Sequence, residues 1–530
     1  MKELAYLEIP TPDIAGVRNW LQHTWQPLSG DKVKTPDGIR VKFGLPDSEV
    51  SIFVWQLQRT TYLKVFQWGQ GNQAKQIKQQ LISEIQAVYP PSYPAPPEVD
   101  LSQQSIFAAL ESDYPKTVHF FQKMPNGEYD LNRVYWWEKR WRESVKHPQQ
   151  PQEVIFKGDT GSSKQQFDLI YIGGALGVIH AAVMALKGYK VLLVERLPFG
   201  RMNREWNISR DEFQSLINLG LFTPEEFASV IAAEYVDGFS KFFDAYNPPN
   251  LKASVLHTPT VLNVAIDAEK LLRFCGDKLR QSGGEIWDET EFIRADVTDT
   301  EVTVKLTHLP TKTSKQASAR LLIDAMGTAS PIAWQLNGGR AFDSVCPTVG
   351  AVIESGFAPE VWDKDYGDVL NSHGDISRGR QLIWELFPAG NGELTFYLFH
   401  YHQVHPDNPG SLLEMYEDFF TILPEYRRCD LEQLVWKKPT FGYIPGHCST
   451  SDRDRTVAFD RLVAIGDAAS LQSPLIFTGF GSLVRNLERL TTLLNTALQH
   501  DLLSAKHLNQ IRAYQSNISV TWLFSKGMMV

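Results

Sequence analysis

The sequence predicts an α/β protein: a Rossmann-like domain carrying an inserted β-sheet domain, preceded by an N-terminal α+β unit. Three observations carry this. Phe167–Ile172 is a short apolar run, Gly173, Gly174 and Gly177 follow at once, and Val178–Leu186 is an apolar helical stretch. Gly188 breaks that helix, and Lys190–Val194 is a second apolar strand closing on Glu195. Far downstream, two more apolar strands end in sharp turns, LLIDAMG at Leu321–Gly327 and RLVAIGDAAS at Arg461–Ser470.

The first stretch has the layout of a dinucleotide-binding βαβ unit. Its glycines let backbone approach a pyrophosphate, the helix N-terminus faces that anion, and the acid accepts hydrogen bonds from a ribose. Glu195 lies 18 residues after Gly177, near the usual spacing of about 20. If Gly174 and Gly177 are the second and third glycines of G-x-G-x-x-G, the first position is Ile172, and the tight turn falls to Gly173. Two other readings compete: an ordinary crossover that binds nothing, and a membrane span over Leu169–Gly188, where only His180 and Lys187 are strongly polar. Three glycines and flanking strands argue against a span of roughly 20 residues. No other stretch reads as a span, and the Met1 end shows no signal-peptide pattern, so the expected location is cytoplasmic.

At 530 residues the chain is long enough for two or three domains. A net charge of -9 and no basic face give no reason to expect nucleic acid. Cys275, Cys346, Cys429 and Cys448 are far apart and form no C-x-x-C, so neither a zinc site nor a disulfide framework is expected. The 14 tryptophans point to bulky cores or apolar cavities.

Residues 1–145 read as the α+β unit. Val50–Leu57 and Thr61–Trp68, rich in β-branched and aromatic residues, predict a hairpin, and Ala74–Tyr89 has helical spacing. Five prolines from Pro90 to Pro97 make a stiff connector. The cluster VYWWEKRW at Val134–Trp141 reads as packing on the rest of the protein, with a membrane surface as the alternative. A polar linker at 146–166 separates this unit from a nucleotide domain whose first part is 167–340 and whose second part, with C-terminal helices, is 441–530. Within it the sequence predicts a helix starting at Thr223–Ala232, strands at Val261–Ile266, Glu285–Trp287, Val302–Leu306 and Ala319–Ile323, and a helix at Ala268–Gln281. Thr311–Gln316 is the expected hairpin tip. The insertion, 341–440, reads as a substrate-binding sheet with strands at Val349–Ser355, Gln381–Phe387 and Glu393–Val404. Helices are expected from Gly481 to about Leu498 and from Ser504 to about Ser525.

The order of the three turn motifs resembles the flavoprotein superfamily of aromatic hydroxylases, geranylgeranyl reductases and lycopene cyclases, over about 167–500. The narrower blocks IGGALG, VER, REWNISR at Arg204–Arg210, WELFPAG and GDAASLQSPLIFTGFG resemble the CruA/CruP-type lycopene cyclases of photosynthetic bacteria and plastids, closest to the CruP branch. That resemblance implies a Rossmann-like FAD-binding domain, a carotenoid substrate and peripheral contact with a photosynthetic (thylakoid) membrane. It implies that Gly173, Gly174, Gly177 and Glu195 hold the ADP half of FAD and that Gly466 and Asp467 hold the ribityl side. Asp324 and Gly327 would line the approach to the pyrophosphate. Arg196, Arg204, Pro474, Gly479 and Gly481 complete the cofactor-binding set, the late glycines admitting a flat ring. The CruP branch is a cyclase paralogue, so a non-catalytic flavin- or carotenoid-binding protein stays open, as does a flavin monooxygenase or reductase acting on an isoprenoid.

Cyclising a linear carotenoid end group is redox-neutral: an acid protonates a double bond, the cation closes a ring, and a base removes a proton. Glu385, in Trp384-Glu385-Leu386-Phe387-Pro388, is the candidate acid, because bulky apolar neighbours would raise its pKa. Alternation sets Glu385 and Phe387 on one strand face and Trp384 and Leu386 on the other, so a solvent-facing glutamate is the competing reading. His400 and His402 share a face, but with His405 they lack a ligand set of matching geometry, and no metal is expected. Arg204 and Arg210 either reach phosphate oxygens or pair with local acids.

Overall fold

The computed structural model describes residues 1–512 apart from 45–47, 58–59, 91–93, 159–165, 203–205, 243–248, 253, 341, 360, 362–364, 378–379, 447–454 and 470–478. Its N-terminal part is a five-stranded antiparallel sheet. The expected hairpin is there: Glu49–Leu57 pairs with Thr60–Trp68 in register from Glu49↔Trp68 to Leu57↔Thr60. Period-two alternation turns Val50, Ile52, Val54, Leu63 and Val65 onto the helix Gln73–Val88, which answers with Ile77, Leu81 and Ile85. Tyr6, Tyr62 and Trp55 stack on the opposite face.

The cluster VYWWEKRW lies in the helix Gly127–Lys146 and packs on the aromatic sheet that holds Leu394–Phe399 and Val435–Gly446, the third sheet below. Trp141 stacks on Tyr443 at 4.8 Å, and its Nε1 donates to the Pro409 carbonyl at 2.7 Å. The stretch 106–146 therefore shares a core with the aromatic sheet, not with the N-terminal one.

The Rossmann-like domain is built on a nine-stranded sheet in which Glu285–Trp287, Val191–Val194, Phe167–Ile172, Thr313–Asp324 and Leu462–Ala464 run parallel. Leu169–Gly188 is thus divided into strand, turn and an 11-residue helix, Leu176–Leu186. No helix among the described residues is long and apolar enough to cross a membrane. Strand Thr313–Asp324 starts six residues before the expected Ala319, because its polar first half forms an antiparallel ladder with Val302–His308. The hairpin tip therefore falls at 309–312, ahead of the expected Thr311–Gln316. The helix starting at Pro224 ends at Val230, where Ile231 becomes strand. Of the last expected helix, Ala505–Leu508 is described as helical.

The third sheet has eight strands, with Tyr366–Ser377, Arg380–Pro388, Leu394–Phe399 and Ser344–Ser355 side by side and Val435–Gly446 beyond. The long strand expected at Glu393–Val404 stops at Phe399, and His402–Gln403 resumes against Ser344 and Val345. One face carries Trp384, Leu386, Phe396 and Leu398 and is covered by helices Leu412–Arg427 and Gly127–Lys146. The other carries Cys346, Ile383 and Phe399 in a smaller cluster with Tyr401.

Candidate functional site

The three turn motifs leave one edge of the parallel sheet at the same level. The Gly173 N–H donates to the Val194 carbonyl, that of Ala325 to Ile172, and that of Ile465 to Asp324, each at 2.8 Å. The crevice outside the carboxyl ends of parallel strands is where such sheets bind ligands.

The glycine turn is built for close approach. Gly173 has φ 106°, and a Cβ there would lie 2.3 Å from the Ala325 carbonyl oxygen, so it carries the tight turn that its position one residue late suggested. A Cβ on Gly174 would meet the Glu195 carboxylate at 3.0 Å, and one on Gly177 would meet Ala325 Cβ at 2.9 Å. The helix Leu176–Leu186 starts with Ala175 as its N-cap, which supplies no side-chain acceptor to the first N–H groups. An anion is the natural partner of such an end. Glu195 Oε2 accepts from Gly174 N at 2.6 Å and Oε1 from Leu197 N at 2.9 Å. A carboxylate has about four acceptor positions, so two remain for a diol. The residues present fit the adenine-ribose and pyrophosphate half of a dinucleotide.

Asp324 is fully buried. Its carboxylate accepts from Ser330 Oγ and from Met326 N, so it shapes the second turn from beneath instead of facing the crevice. Burial pushes it up to about 6 against those hydrogen bonds and the charge of Arg455. Gly327 (φ 71°) and Gly466 (φ 59°) take left-handed conformations at the next two turns. Asp467 follows in the short turn Gly466–Ala468, and the position of a Cβ on Gly479 lies 3.5 Å from its Oδ1. Helix Gly479–Gln499 thus begins beside Asp467. Gly481, in its first turn, faces Glu212. Arg196 pairs with Glu291 at 2.9 Å. Arg210 forms a fork with Glu234 and takes the local-acid option. Arg204 and Pro474 lie outside the described residues.

The third sheet adjoins this edge where Val435–Gly446 meets the turn Gly327–Ala329. Glu385 pairs across strands with Tyr397 and is partly buried, on the face opposite Trp384 and Leu386 as alternation required. Burial first, and then the Asp368 carboxylate, push Glu385 up to about 8. Tyr235 covers this region, its ring over Gly367, where a Cβ would meet it at 2.9 Å. No sequence pattern marked Tyr235 or Asp368: Asp368 comes near Glu385 through strand pairing, and Tyr235 from the connection between Ile231–Glu234 and Asp237–Phe242. His400 and His402 stack at 5.4 Å, and exposed His405 lies 3.7 Å from Asp407. Among the described residues no group of three metal-ligating side chains occurs.

The titration signs are testable. Glu385 keeps its proton in the folded protein where the unfolded chain has released it, so stability should fall as pH rises from about 4.5 to about 8. Asp324 acts in the same sense up to about 6. His180, buried against the Tyr171 hydroxyl at 2.6 Å and pushed down to about 4, acts oppositely below about 6.5. Between pH 6.5 and 8, Glu385 alone of the three contributes, at most about 1.4 kcal/mol per pH unit. Denaturant unfolding across that window should lose this slope in Glu385→Gln; an identical slope in the variant would assign it elsewhere.

No family model matches the chain, and no curated protein matches it. Solved structures do. Halogenase PltM, in a complex with ethyl mercury and mercury, is similar at TM-score 0.51 and 16% identity, over 66% of this chain and 73% of that one. A second PltM structure, with phloroglucinol and FAD, gives 0.49 and 15% over the same shares. A geranylgeranyl bacteriochlorophyll reductase-like protein of Thermoplasma acidophilum gives 0.49 and 18%, over 66% of this chain and 82% of that one. The chain therefore has the fold of the halogenase, a Rossmann-type domain joined to a second sheet.

Proposed function

We propose that this protein is an FAD-dependent enzyme of the flavin monooxygenase and reductase type, acting on an apolar, isoprenoid-like substrate. The observation that carries this is the convergence of the glycine turn, Glu195 and the Gly466–Asp467 turn on one sheet edge, in a fold shared with a halogenase crystallised with FAD. In this reading Gly173, Gly174 and Gly177 seat the pyrophosphate against the helix N-terminus, Glu195 holds the ribose, and Asp467 meets the ribityl chain. Bound FAD would supply two-electron chemistry. The test is the visible spectrum of the purified protein, followed by NAD(P)H consumption under air with carotenoids and shorter isoprenoids. Consumption matched to product supports the reading; absence of bound or bindable flavin refutes it.

A second reading, cyclisation of a linear carotenoid end group, is favoured by Glu385, a carboxyl that burial keeps protonated near neutral pH. Here Glu385 gives its proton to a terminal double bond and the surrounding apolar face excludes water. A carotenoid substrate would bring the protein to a photosynthetic membrane surface. Anaerobic incubation with reduced FAD and lycopene, then pigment chromatography, separates the readings: cyclisation consumes no reductant. Glu385→Gln should keep FAD yet lose cyclised product by at least 100-fold, on the order of a general acid's contribution. Unchanged turnover removes Glu385 from the chemistry.

A further inference from the structure

The buried acid beside Glu385 has no part in the chemistry above. Asp368 lies in Tyr366–Ser377, paired across strands with Leu386, while its neighbour Val369 pairs with Glu385. The two carboxyls thus leave opposite faces of adjacent strands. Asp368 is 4% exposed. Its Oδ2 accepts from Arg427 Nη2, at the end of helix Leu412–Arg427, and the guanidinium lies over the Phe396 ring at 5.6 Å. Oδ1 is buried with no hydrogen-bond partner.

A buried ion pair is a poor source of stability, since apolar residues of similar volume commonly serve as well or better. A buried carboxylate with one unsatisfied oxygen supplies what they cannot, a fixed negative field in a poorly screened place. The described titratable groups facing Glu385 on its own side are its cross-strand partner Tyr397, Tyr235, whose hydroxyl donates to the Leu262 carbonyl, and Cys346. Burial raises the pKa of Tyr235 and Cys346, so both are neutral.

We propose that the Asp368–Arg427 pair is a positioning element for Glu385: a charge fixed one strand away that holds the proton on the Glu385 carboxyl until substrate takes it. Burial pushes the Asp368 carboxyl up, the Arg427 guanidinium opposes that and favours the ionised form, and the Asp368 charge disfavours ionisation of Glu385. This rests on the reading of Glu385 as a proton donor and extends it to the residues that set its readiness.

Infrared pH titration of the full chain, with the carboxyl band assigned by Glu385→Gln, tests this without turnover. In the native protein a protonated band should disappear near pH 8. Asp368→Asn keeps the shape and removes the charge; the Glu385 midpoint should fall by about one pH unit. The paired replacement Asp368→Leu with Arg427→Leu keeps the site apolar and should lower it similarly, providing a second test if the Asn variant does not fold. A midpoint unchanged in a folded variant overturns the role of the pair. Absence of any assignable Glu385 band in the native protein overturns the proton-donor reading itself, so the two failures are distinguishable.

Discussion

Gly173→Val should leave no protein that both folds normally and retains flavin. The residue sits at φ 106° with the Ala325 carbonyl oxygen 2.3 Å from where a Cβ would be. Left-handed strain costs about 1–3 kcal/mol for a non-glycine residue, and the clash with backbone adds to it, because Ala325 is itself tied to Ile172 by a 2.8 Å hydrogen bond. Relief must come from spreading the strands Phe167–Ile172 and Thr313–Asp324, which opens the crevice where the cofactor is proposed to sit. Denaturant unfolding should show a loss of about 3 kcal/mol or more, and any soluble material should be colourless. Native stability together with a full flavin spectrum would mean that this turn is not where the pyrophosphate approaches. Gly188→Ala is the control, since Gly188 also has positive φ (92°) but no atom lies near its would-be Cβ. It should cost only the backbone strain.

Glu138→Ala should be nearly as damaging, far from the crevice. Glu138 is fully buried in helix Gly127–Lys146. One carboxylate oxygen accepts from Ser411 Oγ and Leu413 N, each at 3.0 Å, and the other from Arg142 Nε at 2.8 Å. It thereby supplies acceptors at the start of helix Leu412–Arg427 and fastens one helix to the other. Truncation leaves a half-buried guanidinium and a buried N–H without this partner, a change that typically costs about 3–5 kcal/mol. Limited proteolysis should then cut within 106–146 well below the unfolding midpoint. Unaltered resistance would show that aromatic packing alone fastens this segment.

The elements with a strong local signal were legible in the sequence. The strand Phe167–Ile172, the helix Ala268–Gln281 and the strand Glu285–Trp287 fall where periodicity and flanking turns put them, because each is apolar on the side that packs and ends at a recognisable breaker. The glycine turn and Glu195 were legible for the same reason: spacing along the chain encodes their meeting. Asp324 had the right place but its carboxylate turns inward, an orientation set by Ser330, six residues on, which no strand pattern reveals. The break at His400 carries no local mark: both pieces pair with Ser344–Ser355 in one register, Phe399 with Thr348 and His402 with Val345. Asp368 and Arg427 are 59 residues apart and meet only through tertiary packing, so neither carries a local mark. The stretch 106–146 is amphipathic, which says that it has a core but not whose.

The late strand Leu462–Ala464 has a consequence for how this molecule is made. It inserts beside the second half of Thr313–Asp324, yet it is synthesised only after the whole inserted sheet has left the ribosome. During that interval the growing chain carries an open row of backbone donors and acceptors at the heart of its parallel sheet. Such long-range closures are slow, and unpaired edges invite association with other chains. Yield in a heterologous host should therefore depend on chaperone supply and growth temperature more than on the stability of the finished protein.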